Sequence, residues 1–225
     1  MTSALWTILI PVKDTRRGKS RLDVPDDLRP ALALALALDT VSAAAQCGRV
    51  LALVEDETDG AALAGIAGVQ VHRSRVAGLN ESILDGVAVV SASAVSEVTG
   101  FLAVLPGDLP GLDAGELAAV LRRCADHRFA VVPDHLGVGT TLLAATRVGW
   151  LRPRYGADSF RRHQRAGAFP ITLPPASTLR WDVDTVDDLL TASGPRTSAA
   201  LQRITAGRDH GAGVGVTVDP CTEDS

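Results

Sequence analysis

Apolar and polar positions change rhythm many times along the 225 residues. The run Leu5-Trp6-Thr7-Ile8-Leu9-Ile10 is apolar nearly throughout and predicts a buried strand over Trp6–Val12. A helix is expected from Asp26-Asp27, acidic residues suited to its N-terminus, as far as Cys47-Gly48, with Pro30 tolerated in the first turn. Within it Ala31 to Leu38 alternates Ala and Leu, a period that suits a strand. Ala and Leu are the strongest helix formers and no β-branched residue interrupts them, so helix is preferred. A strand (Val50–Val54), a short helix (Asp59–Ala64) and a strand (Val69–Arg73) follow. Next come a helix (Asn80–Val90), a strand (Phe101–Leu105), a helix (Asp113–Ala125), a strand (Phe129–Val132) and the apolar run Thr140–Ala145. The last third is less regular, with a helix near Ser159–Arg165, an extended Pro-rich piece Phe169–Pro175 and a closing helix Thr185–Ala192. Alternation of strand and helix predicts an α/β fold whose mostly parallel sheet is covered on both faces. Ligands of such folds gather at the carboxyl ends of the strands.

Composition narrows this to one globular domain over residues 1–205, since 46% of residues are hydrophobic and 21% charged, without repeats or an interdomain linker. Residues 206–225 hold one basic and four acidic residues (net −3) and read as an acidic, disordered tail. Residues 1–205 hold 21 basic and 22 acidic residues (net −1), and a near-neutral domain has no nucleic-acid footprint. Cys47, Cys124 and Cys221 form neither a metal pattern nor a disulfide framework, which suits a reducing cytoplasm. No signal-peptide pattern and no membrane-length apolar run is seen, so a soluble cytoplasmic protein is expected.

Of 22 basic residues only two are lysines, Lys13 and Lys19, and both lie in Pro11 to Arg21, directly after the first strand. Lysine is a compact charge on a flexible stem, suited to a phosphate oxygen, so this loop is a candidate anion site. After the strand Phe101–Leu105 comes Pro106-Gly107-Asp108-Leu109-Pro110. Asp108 is placed to hold Mg2+, a hard cation that wants carboxylate oxygen, whereas Asp113 suits a helix cap. Asp182 and Asp184, two residues apart in an extended segment, would point to one face and share a cation with Asp108. Asp184 also resembles an N-cap for the helix that follows. Asn80 either caps a helix or reads a base edge. Gly137, Gly139, Thr140 and Thr141 follow Pro133-Asp134, and Gly156 and Ser159 precede a helix where amides and a hydroxyl can bind an anion, unless Ser159 is only an N-cap. His72, His127, His135 and His163 show no ligand spacing and read as surface or packing residues. Gly-x-Ser-x-Gly, Cys–His and full P-loop patterns are absent.

Together, Ile10-Pro11-Val12-Lys13, Lys19-Ser20-Arg21-Leu22, Gly78-Leu79-Asn80, Leu105 to Pro110, Pro133-Asp134 with Gly137 to Thr141, and Trp181-Asp182-Val183-Asp184 resemble one family. It is that of the phosphoenolpyruvate and 2-phospho-L-lactate guanylyltransferases of deazaflavin coenzyme F-420 biosynthesis. The resemblance spans residues 6 to about 201 and ends in Gly194-Pro195-Arg196-Thr197. It implies a nucleotide-diphospho-sugar transferase-like fold, a mixed, mainly parallel sheet flanked by helices. It implies a Mg2+-dependent reaction of GTP with phosphoenolpyruvate or 2-phospho-L-lactate, and a product passed to a downstream transferase. By the same resemblance Lys19 and Asp108 are catalytic, and Lys13, Lys19, Arg21 and Asn80 bind the nucleotide. Thr141, Gly156 and Ser159 bind the acid, and Asp108, Asp182 and Asp184 bind the metal. The wider nucleotidyltransferases usually carry a Gly-rich loop after the first strand. Only Gly18 stands there, which favours the narrower family over sugar-phosphate or molybdopterin nucleotidyltransferases. Twenty arginines to two lysines, with abundant Ala, suggest a G+C-rich bacterial genome, and bacterial members are associated with phosphoenolpyruvate. A non-catalytic nucleotide-binding module would not need three carboxylates and both lysines.

Overall fold

The first apolar run forms β1, Thr7–Val12, with Ile8 and Ile10 in one buried layer and Leu9 in the other. Burial on both faces is why the run is apolar throughout rather than alternating. β2 (Arg49–Val54), β3 (Val69–Arg73) and β4 (Leu102–Val104) extend the sheet in parallel. β5 (Phe129–Pro133), β6 (Thr140–Ala145) and β7 (Phe169–Pro170) complete it. The order is β3-β2-β1-β4-β6-β5-β7. β6 runs antiparallel to both of its neighbours, and β7 is parallel to β5. The sheet is therefore mixed and mainly parallel, as expected. The computed structural model describes residues 6–16, 24–92 and 100–211.

Helices α1 (Arg29–Ala44), α2 (Glu57–Ala64) and α4 (Ala114–Cys124) cover one face, burying Val41, Leu63, Leu117 and Leu121 against Ile8 and Ile10. On the other face Ile83 of α3 (Leu79–Ala92) packs on Leu9, Leu53 and Val104. The Ala/Leu run is helical, as its propensities require. Its period-two spelling still serves two surfaces: Ala37 and Val41 face the sheet, while Leu32 and Leu36 face a third apolar cluster. That cluster is supplied by α6 (Val186–Thr191) and α7 (Pro195–Gly211), through Leu189, Ala200 and Ile204.

Helix α7 goes unnoticed in the sequence reading. Pro195 is its first residue, a position where the missing N–H costs nothing. Its N-terminal donors are met from a distance: Asp39 of α1 accepts Arg196 N–H at 3.1 Å, Thr197 N–H at 2.8 Å and the Thr197 hydroxyl at 2.8 Å. The Gly194-Pro195-Arg196-Thr197 motif thus pins the end of the domain to α1. Because α7 runs to Gly211, residues 206–211, read as the start of a tail, are helical, and 212–225 lie outside the described residues. Among the described residues no helix is long and apolar enough to cross a membrane.

β1 pairs with β2 on one side and β4 on the other, so the connections diverge there. A crevice at the carboxyl ends of two such strands is where open α/β sheets place their ligands.

Candidate active site

The loop after β4 is held from three directions. A β-carbon on Gly107 would stand 3.1 Å from the Pro11 carbonyl oxygen, so glycine lets the loop lie against the end of β1. Thr40 Oγ1, on α1, accepts the Leu109 N–H at 2.9 Å and donates to the Leu36 carbonyl at 2.9 Å. The Asp108 carbonyl accepts the Val183 N–H at 2.9 Å, tying the loop to the segment that carries Asp182 and Asp184. Capping is done elsewhere: Asp113 accepts the Glu116 N–H at 2.7 Å at the start of α4. At α6 a capping box of Thr185 and Asp188 closes the helix, and Asp184 contributes only its N–H, to Asp188 at 3.0 Å. Neither Asp108 nor Asp184 serves as a helix cap.

The Asp182 segment is fastened to the β5–β6 hairpin. Arg180 donates to the Asp134 carbonyl (3.2 and 2.9 Å) and to the His135 carbonyl (3.1 Å). Beside it the His135 ring stacks on Trp181 with centroids 4.4 Å apart, and His135 Nδ1 stands 3.9 Å from Asp182 Oδ1. The Asp134 carboxylate closes the hairpin by accepting Val138 N–H at 2.8 Å and Gly139 N–H at 2.7 Å. Burial, then the charges of Asp108, Asp184 and Asp134, push the Asp182 carboxyl up to about 7. Four carboxylates are thereby crowded at one edge of the sheet.

The loop after β1 is bolted to α2. Asp59 accepts both the Thr15 N–H (3.2 Å) and the Thr15 hydroxyl (3.0 Å) in a buried contact. Arg16 bridges Asp14 at 3.0 Å and Asp56 at 2.5 Å, and Asp56 caps α2. Lys13 is exposed on this anchored loop. Lys19 and Arg21 lie outside the described residues.

The residues expected to hold the acid sit around the start of α5 (Ser159–Arg165). Gly156 adopts φ +119°, a conformation that favours glycine. Ser159 is the first helical residue rather than the cap, which is Asp158. The Ser159 hydroxyl is 3.1 Å from Thr140 Oγ1. Thr141 is buried, and its hydroxyl donates to the Pro133 carbonyl at 3.4 Å. Asn80 does not cap α3 either. Its amide donates to the Tyr155 carbonyl at 3.1 Å and accepts the Tyr155 N–H at 2.8 Å, leaving one side-chain N–H for any base. His163, read as a surface or packing residue, is fully buried and engaged at both nitrogens, Nδ1 with Thr140 Oγ1 (3.0 Å) and Nε2 with the Arg154 N–H (2.8 Å). Burial, then the charges of Arg162 and Arg154, push it down to about 4.

These elements enclose a cleft of about 790 Å3. Lys13, Asp108, Asp182 and Asp184 line it with Asp134 and Gly156, and Leu36 and Ala37 of α1 form part of its wall. Asn80, Thr141 and Ser159 are not among the lining residues. A lysine and several carboxylates lining one cleft of this size can hold a polyphosphate and divalent cations together.

The architecture is that of the nucleotide-diphospho-sugar transferases. A crystal structure described as a nucleotide-diphospho-sugar transferase from Desulfovibrio desulfuricans G20 superposes with a TM-score of 0.64 at 19% identity, covering 89% of this chain and 95% of that one. A second, of 4-diphosphocytidyl-2C-methyl-D-erythritol synthase, superposes with a TM-score of 0.56 at 11% identity, covering 91% and 100%. Those likenesses are of fold alone. Sequence goes further: residues 6–191 match the family described as Guanylyl transferase CofC like, and the chain belongs to that family. Two relatives are named phosphoenolpyruvate guanylyltransferase. That of Streptomyces coelicolor is 41% identical over 208 residues, 88% of this chain and 97% of its own. That of Salinispora arenicola is 41% identical over 205 residues, 86% and 92%.

Proposed function

We propose that the protein transfers GMP from GTP to phosphoenolpyruvate, releasing pyrophosphate and forming enolpyruvoyl-diphospho-guanosine for coenzyme F-420 biosynthesis. The observation that carries the chemistry is the meeting of Asp108, Asp182, Asp184 and Lys13 in one cleft at the β1–β4 crevice. Family membership and the relatives' names support the choice of GTP and phosphoenolpyruvate. A phosphate oxygen of the acid attacks the α-phosphorus of GTP in line. A new P–O bond forms there as the bond to the β-phosphate bridge breaks, and pyrophosphate carries away the electron pair. No covalent enzyme intermediate is required, so the protein's work is positioning and neutralisation of charge.

Lys13 faces the triphosphate from the β1 loop, and Lys19 and Arg21 are assigned the same work from their place in the sequence. Asp108, Asp182 and Asp184 would hold Mg2+, and their all-oxygen donor set suits that hard cation. Among the described residues no three His, Cys, Asp or Glu side chains converge on a single point. Mg2+ ordinarily takes one or two carboxylates and completes its shell with substrate phosphates and water, so the three need not bind one ion together. Bound there, it would neutralise phosphate charge. Gly156, Ser159 and Thr141 are assigned to the acid. Ser159 follows Asp158 and Thr140 follows Gly139, both lining residues, and Asn80 steadies the Tyr155-Gly156 backbone while keeping one N–H for the guanine. The product is a diphosphate diester, activated for a downstream transferase.

Initial rates of pyrophosphate release with GTP and a panel of phosphorylated acids test the reading. Phosphoenolpyruvate should be preferred over 2-phospho-L-lactate by roughly 10- to 200-fold, the discrimination that shape alone supplies when both acids share their anionic groups. Use of phospholactate with no use of phosphoenolpyruvate would reassign the acid, and release with neither would remove the guanylyltransferase reading. Tight GTP binding without turnover of any acid would identify a binding module instead.

A further inference from the structure

The contacts of His163 fix the direction of a hydrogen-bond chain. The backbone N–H of Arg154 donates to Nε2 at 2.8 Å, so that nitrogen must be the bare one. A neutral imidazole carries a single hydrogen, which therefore sits on Nδ1 and is donated to Thr140 Oγ1, 3.0 Å away. Burial holds the ring neutral by pushing its pKa down to about 4.

Thr140 and Ser159 then form a hydroxyl pair 3.1 Å apart whose hydrogens can be counted. His163 supplies one hydrogen to Thr140, and the Thr140–Ser159 bond uses one of the two hydroxyl hydrogens. The other hydroxyl hydrogen is left over. As the structure stands Ser159 donates to Thr140, and the spare hydrogen belongs to Thr140. Turning both hydroxyls reverses that bond and hands the spare to Ser159. With the opposite tautomer Thr140 would donate to Nδ1 and Ser159 to Thr140, leaving the pair able only to accept. An oxyanion offers acceptors only, so it is held by the first arrangement and repelled by the second.

We propose that His163 is a positioning residue for the acid substrate: its Nδ1–H, directed by the Arg154 backbone, leaves the Thr140–Ser159 pair one hydrogen to give to a carboxylate or phosphate oxygen. The inference rests on the reading that the acid lies against Gly156 and Ser159. Geometry supports the placement, because the Ser159 N–H donates to the carbonyl of Gly156 at 3.1 Å and Gly156 lines the cleft.

Two substitutions divide the ring's functions. Asparagine places its amide near Nδ1 and can still donate to Thr140. Aspartate, of the same shape, presents only acceptor oxygens there when ionised, so Thr140 would donate to it and the pair would keep no hydrogen for the acid. Wild-type turnover, measured first, tests the guanylyltransferase reading by itself. Relative to it, His163→Asp should raise the KM for the acid by roughly 10- to 100-fold, the effect of losing a hydrogen bond to a charged group, with the KM for GTP unchanged. His163→Asn should stay within about threefold for both substrates, well under the effect of a whole hydrogen bond. The tautomer is read separately from the 15N shifts of His163 in the wild-type protein, expected to show a pyrrole-type Nδ1 and a pyridine-type Nε2. A pyrrole-type Nε2 overturns the proposal whatever the kinetics. Equal losses in both variants for acid and GTP alike, tracking lost thermal stability, would make His163 a packing residue and nothing more.

Discussion

Thr40 and Leu109 are joined by a hydrogen bond of 2.9 Å across 69 positions of sequence, and Leu109 is the residue after Asp108. The helix hydroxyl therefore sets where the loop that carries Asp108 begins to turn. Thr40→Val keeps the shape and removes the acceptor, leaving the buried Leu109 N–H unpaired. It should cost about 1–3 kcal/mol of stability by chemical denaturation. Turnover should fall further than stability explains, because Asp108 shifts. Thr40→Ser, which retains the oxygen, should recover most of both. Equal activity in the Val and Ser variants would show that the loop is held by its other ties.

Removing one of the carboxylates assigned to Mg2+ should weaken binding of the cation and leave phosphate charge uncovered. Asp108→Asn and Asp182→Asn are each expected to lose on the order of several kcal/mol of barrier lowering while the circular dichroism spectrum stays native. Activity of the wild-type protein should vanish in excess chelator and return with Mg2+. A near-normal rate in chelator would remove the metal from the assignment.

Lys13 and Arg16 sit on the same loop with different commitments. Arg16 is bound to Asp14 and Asp56, whereas Lys13 lines the cleft. Lys13→Ala should lower kcat/KM for GTP by about 100-fold, comparable to loss of one donor aimed at developing charge. Arg16→Ala should change it by less than about tenfold, through looser positioning alone. Similar modest losses in both variants would reduce the loop to a solvated patch.

His163 also makes an acid-sensitive contribution to stability. Its pKa is about 4 in the fold against 6.5 ordinarily. Between those values the unfolded chain takes up a proton that the folded chain refuses, so stability falls as pH drops from about 6.5 to about 4. The full effect is on the order of 3 kcal/mol. His163→Asn removes the titrating group, and its stability relative to wild type should improve toward pH 4. A constant difference between the two proteins across that range would contradict the buried neutral state.

Local chemistry was enough to single out Asp108, a carboxylate in a Gly/Pro turn at a strand's carboxyl end, and the fold puts it in the lining of the cleft. Asp182 and Asp184 were legible as a pair, although only the fold shows Thr185, not Asp184, as the cap. Asp59 was not, because its partner Thr15 is 44 residues away and nothing local distinguishes it from any acidic residue of a first turn. His163 could have been found. Ser159 and His163 are four apart on a predicted helix and therefore share a face, but the flanking Arg161, Arg162 and Arg165 made the segment look solvent-facing. Helix α7 was obscured by Gly194-Pro195, which reads as a breaker until its first residue is recognised as the proline.

β6 alone runs against the rest of the sheet, so its first residue, Thr140, arrives at the same edge as the last residues of β1 and β4. On the function proposed above, the nucleotide is served by the parallel half and the acid by the hairpin and the turn behind it. Selection for a different acid thus has its own address in the sequence. Changes between Pro133 and His163 would then retune the acceptor and leave untouched the β1 loop and the β4 loop, encoded elsewhere and assigned to the nucleotide.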